Sequence, residues 1–140
     1  MKKISSLLAA LVLSFVGVTA SAYAQDSIVK AHVPFDFTVS SSTLPAGDYT
    51  FSKISQDVWT IRNDQSRQAI AAVATANGTN QDDSAKLVFK HLNSTYFLSQ
   101  VQCLGQTSAM PGSKTERSME REMARNGSAP ESVYVLASAR

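Results

Sequence analysis

The sequence predicts a mainly β protein: a small antiparallel β-sandwich or partly closed barrel of about seven strands, with one surface helix in its C-terminal half and a closing strand. Three observations lead there. From Val29 to Val39 every odd position is apolar (Val29, Ala31, Val33, Phe35, Phe37, Val39), and the even positions are Lys30, His32, Pro34, Asp36 and Thr38. Period two puts one face of an extended strand in a core and the other in water. Turn-forming residues then recur about every ten positions, the spacing of short antiparallel strands. Only the stretch at about 113–125 carries helix-capping chemistry.

Residues 1–24 have the three parts of a secretory signal peptide. Lys2 and Lys3 precede the apolar run ISSLLAALVLSFVGV, and Ala22-Tyr23-Ala24 fits an A-x-A cleavage site ahead of Gln25. The run is near or below the roughly 17–25 residues of a membrane span. Cleavage is therefore expected after Ala24, with an exported product in the periplasm or outside the cell and no membrane span in its mature form. Residues 25–140 make a single β-rich domain of 116 residues (140 less 24), long enough for a real core. Without Lys2 and Lys3, the 13 basic residues fall to 11, which balances 11 acidic ones. A chain of zero formal charge has no global field to draw nucleic acid or an anionic membrane.

Within the domain, residues 29–39 form the organising strand. Pro34 lacks a ladder donor, which makes this an edge strand or one bent at a sheet corner. Leu44-Pro45-Ala46-Gly47-Asp48 is a turn, read as type II with Gly47 supplying a positive φ. Tyr49 and Phe51 resume the alternation, and Ile54, out of phase, suggests a bulge. A short strand follows over 58–62, with Trp59 and Ile61 on one face. Residues 67–76 are apolar at both parities; a strand is preferred over a short helix because Asn77-Gly78 closes the stretch with turn chemistry. Residues 77–84 read as loop. Residues 86–91 and 95–104 form a second hairpin in which Phe97, Val101 and Cys103 share a face, and 105–112 is an irregular crossing. Ser113 and Glu116 make a capping box for the helix, and Asn126-Gly127 a C-cap. After Pro130, SVYVLA closes the fold.

The segments VPFDFTV, LPAGDYTF, KLVF and TYFL stand in this order ahead of a polar helix and a valine-rich last strand. This pattern resembles a group of small exported proteins common in acidobacteria, with PFxF, LPAGxY, LVF and YFL in series. The likeness spans most of residues 25–140, and LPAG-Asp48-Tyr49 is its most specific piece. It implies export and a β fold, and supplies no activity or catalytic residue. The chain departs from the pattern at Ser40-Ser41, near a usual glycine, and at Gln102-Cys103, where an aromatic is common.

Candidate chemistry is sparse. His32 and His91, the only histidines, fall on different strands without zinc-ligand spacing. No GxSxG elbow accompanies the serines. Cys103 is the sole cysteine; it is either a small buried apolar group on its strand's core face or a partner for an intermolecular disulfide. Asp82 and Asp83 lie in a polar loop without the spacing of a calcium site. No cofactor is implied. Phe35, Phe37, Trp59 and Tyr96 are the candidates for a ligand or partner surface, because aromatic groups serve both packing and binding. The expectation is a non-enzymatic exported domain acting by binding or association in the cell envelope, with residues 29–39 offering an edge for strand addition. The alternative is a carrier that holds an apolar or sugar-like molecule in an aromatic-lined interior. The partner is accordingly an envelope protein or a small ligand.

Overall fold

The structure, a computed structural model, describes residues 27–79 and 81–140. The signal-peptide residues Ala22, Ala24 and Gln25 lie outside them. The chain is mainly β, with twelve strand segments and one helix among the described residues. Two curled sheets pack as a sandwich and together form a half-barrel. The strand segments exceed the expected seven because several single runs are cut in two where they pass from one sheet to the other.

The organising strand is the first such case. Its odd positions do face inward: Val29, Ala31, Val33, Phe37 and Val39 are all buried. It breaks at Pro34, however, into β1 (Ile28–Val33) and β2 (Phe37–Val39). β1 pairs antiparallel with β4 (Gly47–Ser55), whereas β2 pairs with β3 (Ser42–Leu44) and, in parallel, with β9 (Thr95–Cys103). Proline removes a ladder donor where the chain must leave one sheet, and the corner falls there.

The five-stranded sheet runs β12-β1-β4-β5-β6, with β5 Val58–Asn63, β6 Ala69–Val73 and β12 Ser138–Ala139. The second sheet runs β11-β8-β9-β10-β7, with β7 Thr75–Thr79, β8 Lys86–Leu92, β10 Gln106–Ala109 and β11 Glu131–Leu136. Only Ala74 separates β6 from β7, and only Ala137 separates β11 from β12. Both residues hydrogen-bond out of line: Ala74 N–H donates to Asp57 O (2.8 Å) and Ala137 N–H to Ala85 O (3.0 Å). Strand pairing therefore passes from sheet to sheet at both corners.

This arrangement corrects the expectation of a bare edge along residues 29–39, of which, in β1, only Ala31–Val33 lack a strand partner on one side. β12 covers β1 over Ile28–Lys30, reinforced by Arg140 N–H donating to Ile28 O (3.0 Å), and β2 is flanked on both sides. Three other elements differ from expectation. Residues 77–79 are strand rather than loop, as the end of β7, and residues 106–109 pair with β7 as β10. β7 is exposed along its whole length and so carries no apolar alternation to read. The turn before β4 is also not type II. Gly47 has φ +157°, far from the roughly +80° that turn needs. Side chains secure the turn instead: Ala46 N–H donates to Asp36 Oδ1 (2.8 Å), and the Tyr49 hydroxyl to Pro45 O (2.6 Å). Residues 69–73 are strand, as preferred.

Between the sheets the interior is filled by large side chains. Phe37, Tyr49, Phe51, Trp59, Ile61, Leu87 and Phe89 are all at most 2% exposed. Each such side chain contributes about 1.5–3 kcal/mol by leaving water. The ring of Phe37 meets Tyr49 and Phe89 edge to face, at 5.1 and 5.4 Å. Cys103 lies in this core, 5% exposed, where burial pushes its thiol pKa up against the opposing pull of Lys53.

The helix α1 (Lys114–Arg125) lies outside the second sheet. Ser113 Oγ accepts the Glu116 N–H at 3.1 Å, the forward half of the expected capping box. At the other end, Ser128 N–H donates to Met123 O and Gly127 N–H to Ala124 O, with Gly127 at φ +72°, a Schellman closure. Glu116, Met119, Glu120 and Met123 form the inward stripe at helical spacing. Lys90 of β8 docks it, donating to Glu120 Oε1 at 2.8 Å and to the buried Glu116 Oε1 at 3.3 Å.

Candidate functional site

The four aromatic candidates separate into core and surface. Phe37 and Trp59 are buried at 0% and 2% exposure, so they belong to the packing and offer no ligand surface. Both stand at inward positions of their strands, which is the physical reason. Trp59 Nε1 is the one buried side-chain nitrogen or oxygen without a partner among the described residues. Phe35 and Tyr96 are half-buried and stack face to face, with centroids 3.9 Å apart and planes 18° from parallel. His91 continues the stack on Tyr96 at 4.3 Å, and its Nδ1 lies 3.5 Å from Glu131. Phe35 also meets Phe89 edge to face at 5.2 Å, so the stack packs against the core.

On the other side of β2 and β9 from the main core the chain opens a cleft. β2 and β3 form a small flap that hangs on β9 through two parallel pairs, Phe37 with Tyr96 and Thr38 with Phe97. Alternation sends Phe37 and Val39 inward and Thr38 outward, where its hydroxyl meets that of Thr43 at 3.2 Å. Between the flap and α1 lies a cleft of about 450 Å³ lined by Thr38, Ser40, Ser41, Thr43, Thr95, Phe97, Ser113, Lys114, Thr115 and Met119. Seven of these ten carry hydroxyls, and that proportion decides its chemistry. A hydroxyl both donates and accepts, so the walls suit a neutral ligand rich in hydroxyl or amide groups. Met119, half-buried, supplies the apolar part of the lining with the buried Phe97 beneath it, and Lys114 is the only charged lining residue among the described residues. Ser40 holds φ +55°, the left-handed turn that folds β3 back on β2.

Phe97 lies beneath this lining against expectation. Parity from Val101 and Cys103 puts it in the core, but the register slips between Val88 and Phe89, where Phe89 pairs with Leu98 and Val88 with Gln100. The extra residue, Ser99, inverts the facing. Leu98 joins Val101 and Cys103 in the main core, and Phe97 is buried from the other side, by α1. Leu98, apolar but out of phase with Val101 and Cys103, is the mark the bulge leaves in the sequence; it does not say which of Phe97 and Leu98 faces the main core. The cleft's serines and threonines come from two strands, a connecting stretch and the start of the helix, and nothing in their spacing brings them together.

A second polar region lies on the outer face of the five-stranded sheet. His32 Nδ1 and Asp48 Oδ1 are 2.7 Å apart, brought opposite each other by the β1–β4 register. Thr50, 6% exposed, donates its hydroxyl to Asp64 Oδ1 at 2.8 Å. Sixteen positions separate His32 from Asp48 and fourteen separate Thr50 from Asp64, which hides both pairs from any short motif. Near residue 82, Ser84 and Lys86 hold the exposed Asp82 carboxyl down at about 2. Among the described residues no group of three or more His, Cys, Asp or Glu side chains is placed to hold a metal ion, and no helix is long and apolar enough to cross a membrane.

Comparison with known proteins finds no matching family model, no matching curated protein and no matching solved structure.

Proposed function

We propose that the chain is an exported, non-enzymatic binding domain of the cell envelope, and that it takes a neutral polyhydroxy ligand, such as a glycan segment, in the cleft between the β2–β3 flap and α1. The observation that carries this reading is a lining of seven hydroxyl side chains with Met119 as its apolar part and Phe97 buried beneath. Sugars present hydroxyls at their rims and C–H groups on their faces, and this lining answers both. The cleft volume of about 450 Å³ is within the usual range for ligand sites. Export rests on the signal-peptide pattern of residues 1–24 and on the resemblance to small exported acidobacterial proteins.

Two features move the binding site from where the sequence suggested. Strand addition along residues 29–39 loses most of its edge, to β12 at Val29 and Lys30 and to β3 and β9 at 37–39, which leaves only Ala31–Val33 of β1 paired on one side. An interior guest competes with Trp59, Tyr49, Phe37 and Phe51, which already occupy that space. Titration of the ¹⁵N-labelled exported protein with soluble envelope oligosaccharides tests the proposal. Amide shifts are expected at Thr38, Ser41, Thr43, Thr95 and Thr115, and Thr43→Val with Thr95→Val should weaken binding on the order of tenfold while preserving shape. Shifts centred elsewhere, or no response to any oligosaccharide, would sink the assignment.

A further inference from the structure

We propose a second site, for a phosphate group, on the outer face of the five-stranded sheet, built from Lys30, Arg62 and Arg67. The strand register assembles it. Lys30 of β1 pairs with Thr50 of β4, which pairs with Arg62 of β5, so two cations flank one threonine in a single outward row. Their chain neighbours Val29, Ala31, Ile61 and Asn63 are buried, which fixes the outward facing of Lys30 and Arg62. Arg67 arrives from the β5–β6 turn, and the three cations with Asp64 line one depression of about 380 Å³. It continues toward His32 and Asp48 in a hollow of about 260 Å³ that shares Lys30 and Asp64.

The charges in this depression are poorly balanced. Three cations face one carboxylate, a formal excess of two, although residues 25–140 as a whole have a formal charge of zero. None of the three cations makes an ion pair with another described residue. The nearby carboxylates are engaged elsewhere, Asp64 with Thr50 and Asp48 with His32. Lys30 and Arg62 stand on either side of β4, with Arg67 in the adjoining turn. Like charges gathered round one depression repel, and an anion seated among them removes that repulsion.

Arg67 adds an independent sign. It holds φ +58°, a left-handed conformation in which glycine is the relaxed choice. The buried Asn63 enforces it: its Oδ1 accepts the N–H groups of Gln65 and Ser66, both at 2.9 Å, and its carbonyl accepts the Arg67 N–H at 2.9 Å. A long cation thus occupies a strained turn position that leads into the depression. Two guanidinium forks and an ammonium suit phosphate oxygens, which accept bidentate bonds.

The phosphate could be part of a small soluble ester or of a lipid headgroup, and one experiment separates the sources. The exported protein is titrated with inorganic pyrophosphate by ¹⁵N NMR, and floated with phosphatidylcholine vesicles with or without phosphatidylglycerol. Shifts at Lys30, Arg62 and Arg67 with pyrophosphate point to a soluble ester; flotation with phosphatidylglycerol vesicles alone points to a headgroup. In either case Arg62→Gln and Arg67→Gly should each weaken binding on the order of tenfold, and Asp64→Asn should tighten it. Arg67→Gly relaxes the turn, so its loss of binding cannot be blamed on misfolding. Absence of both responses, or responses indifferent to these variants, overturns the proposal.

Discussion

Replacing Lys90 with methionine should loosen α1 from the sheet and cost about 2 kcal/mol. Methionine keeps most of the apolar stem, so the change removes chiefly the ammonium. Breaking an exposed ion pair costs about 0.2–1 kcal/mol and a buried one about 3–5 kcal/mol. The Lys90 side chain is 35% exposed, that of Glu120 31%, and that of Glu116 only 7%, which places the loss between those limits. Most of it comes from Glu116, whose carboxylate would stay buried without its cation. Glu116→Gln in the same chain should then recover about 1 kcal/mol, because a neutral amide costs less to bury than an orphaned charge. Urea unfolding followed by far-UV circular dichroism measures both changes. A loss under about 0.5 kcal/mol, or a double variant no more stable than the single one, would refute the clamp. The pH dependence gives a second check. Burial alone would lower the Lys90 pKa, but the hydrogen bond to Glu120 and the charges of Glu116 and Glu120 outweigh it and raise it. A raised pKa stabilises fully below the unfolded value, near 10.4, and the gain disappears as pH rises through the folded value. The difference between wild type and Lys90→Met should accordingly hold steady from neutral pH to about 10 and shrink above it.

Cys103 should react with an aromatic disulfide reagent slowly in the native protein and at once in urea, because it is buried and its thiol pKa is raised. Rapid native labelling, or a reducible dimer on non-reducing gels, would count against the buried position. Leu104 stands 55% exposed at φ +49°, with Gly105 at φ +73°, in the β9–β10 turn. Both φ values suit a two-residue hairpin turn in which asparagine is preferred first. Leu104→Asn should therefore raise stability by about 1 kcal/mol in thermal unfolding; a fall would mean that the leucine makes a contact worth more than its backbone strain.

Much of the architecture was legible in the chain because it rests on local rules. Strict alternation over 29–39 located the core face, and Ser113 with Asn126-Gly127 bounded the helix to within a residue. The break at Pro34 was foreseeable as a bend, since the lost ladder donor is a property of one residue. Elements without an apolar signature were not legible. β7 is exposed throughout, and β10 exists by pairing with it and with β9.

The sites fall on the other side of that division. Composition and period determined a β-rich domain, one capped surface helix, and aromatic residues mostly committed to packing; that the interior is filled came from the structure. Tertiary structure alone decided that Phe97 faces the helix, that the flap's threonines meet Thr95 and Ser113 around one cleft, and that Lys30, Arg62 and Arg67 share a depression. The reason is register. A one-residue slip in a ladder exchanges the faces of a strand, and which polar side chains become neighbours depends on pairings between residues far apart in sequence. Apolar periodicity records which way a side chain points, but polar outward positions carry no comparable record of whom they will face.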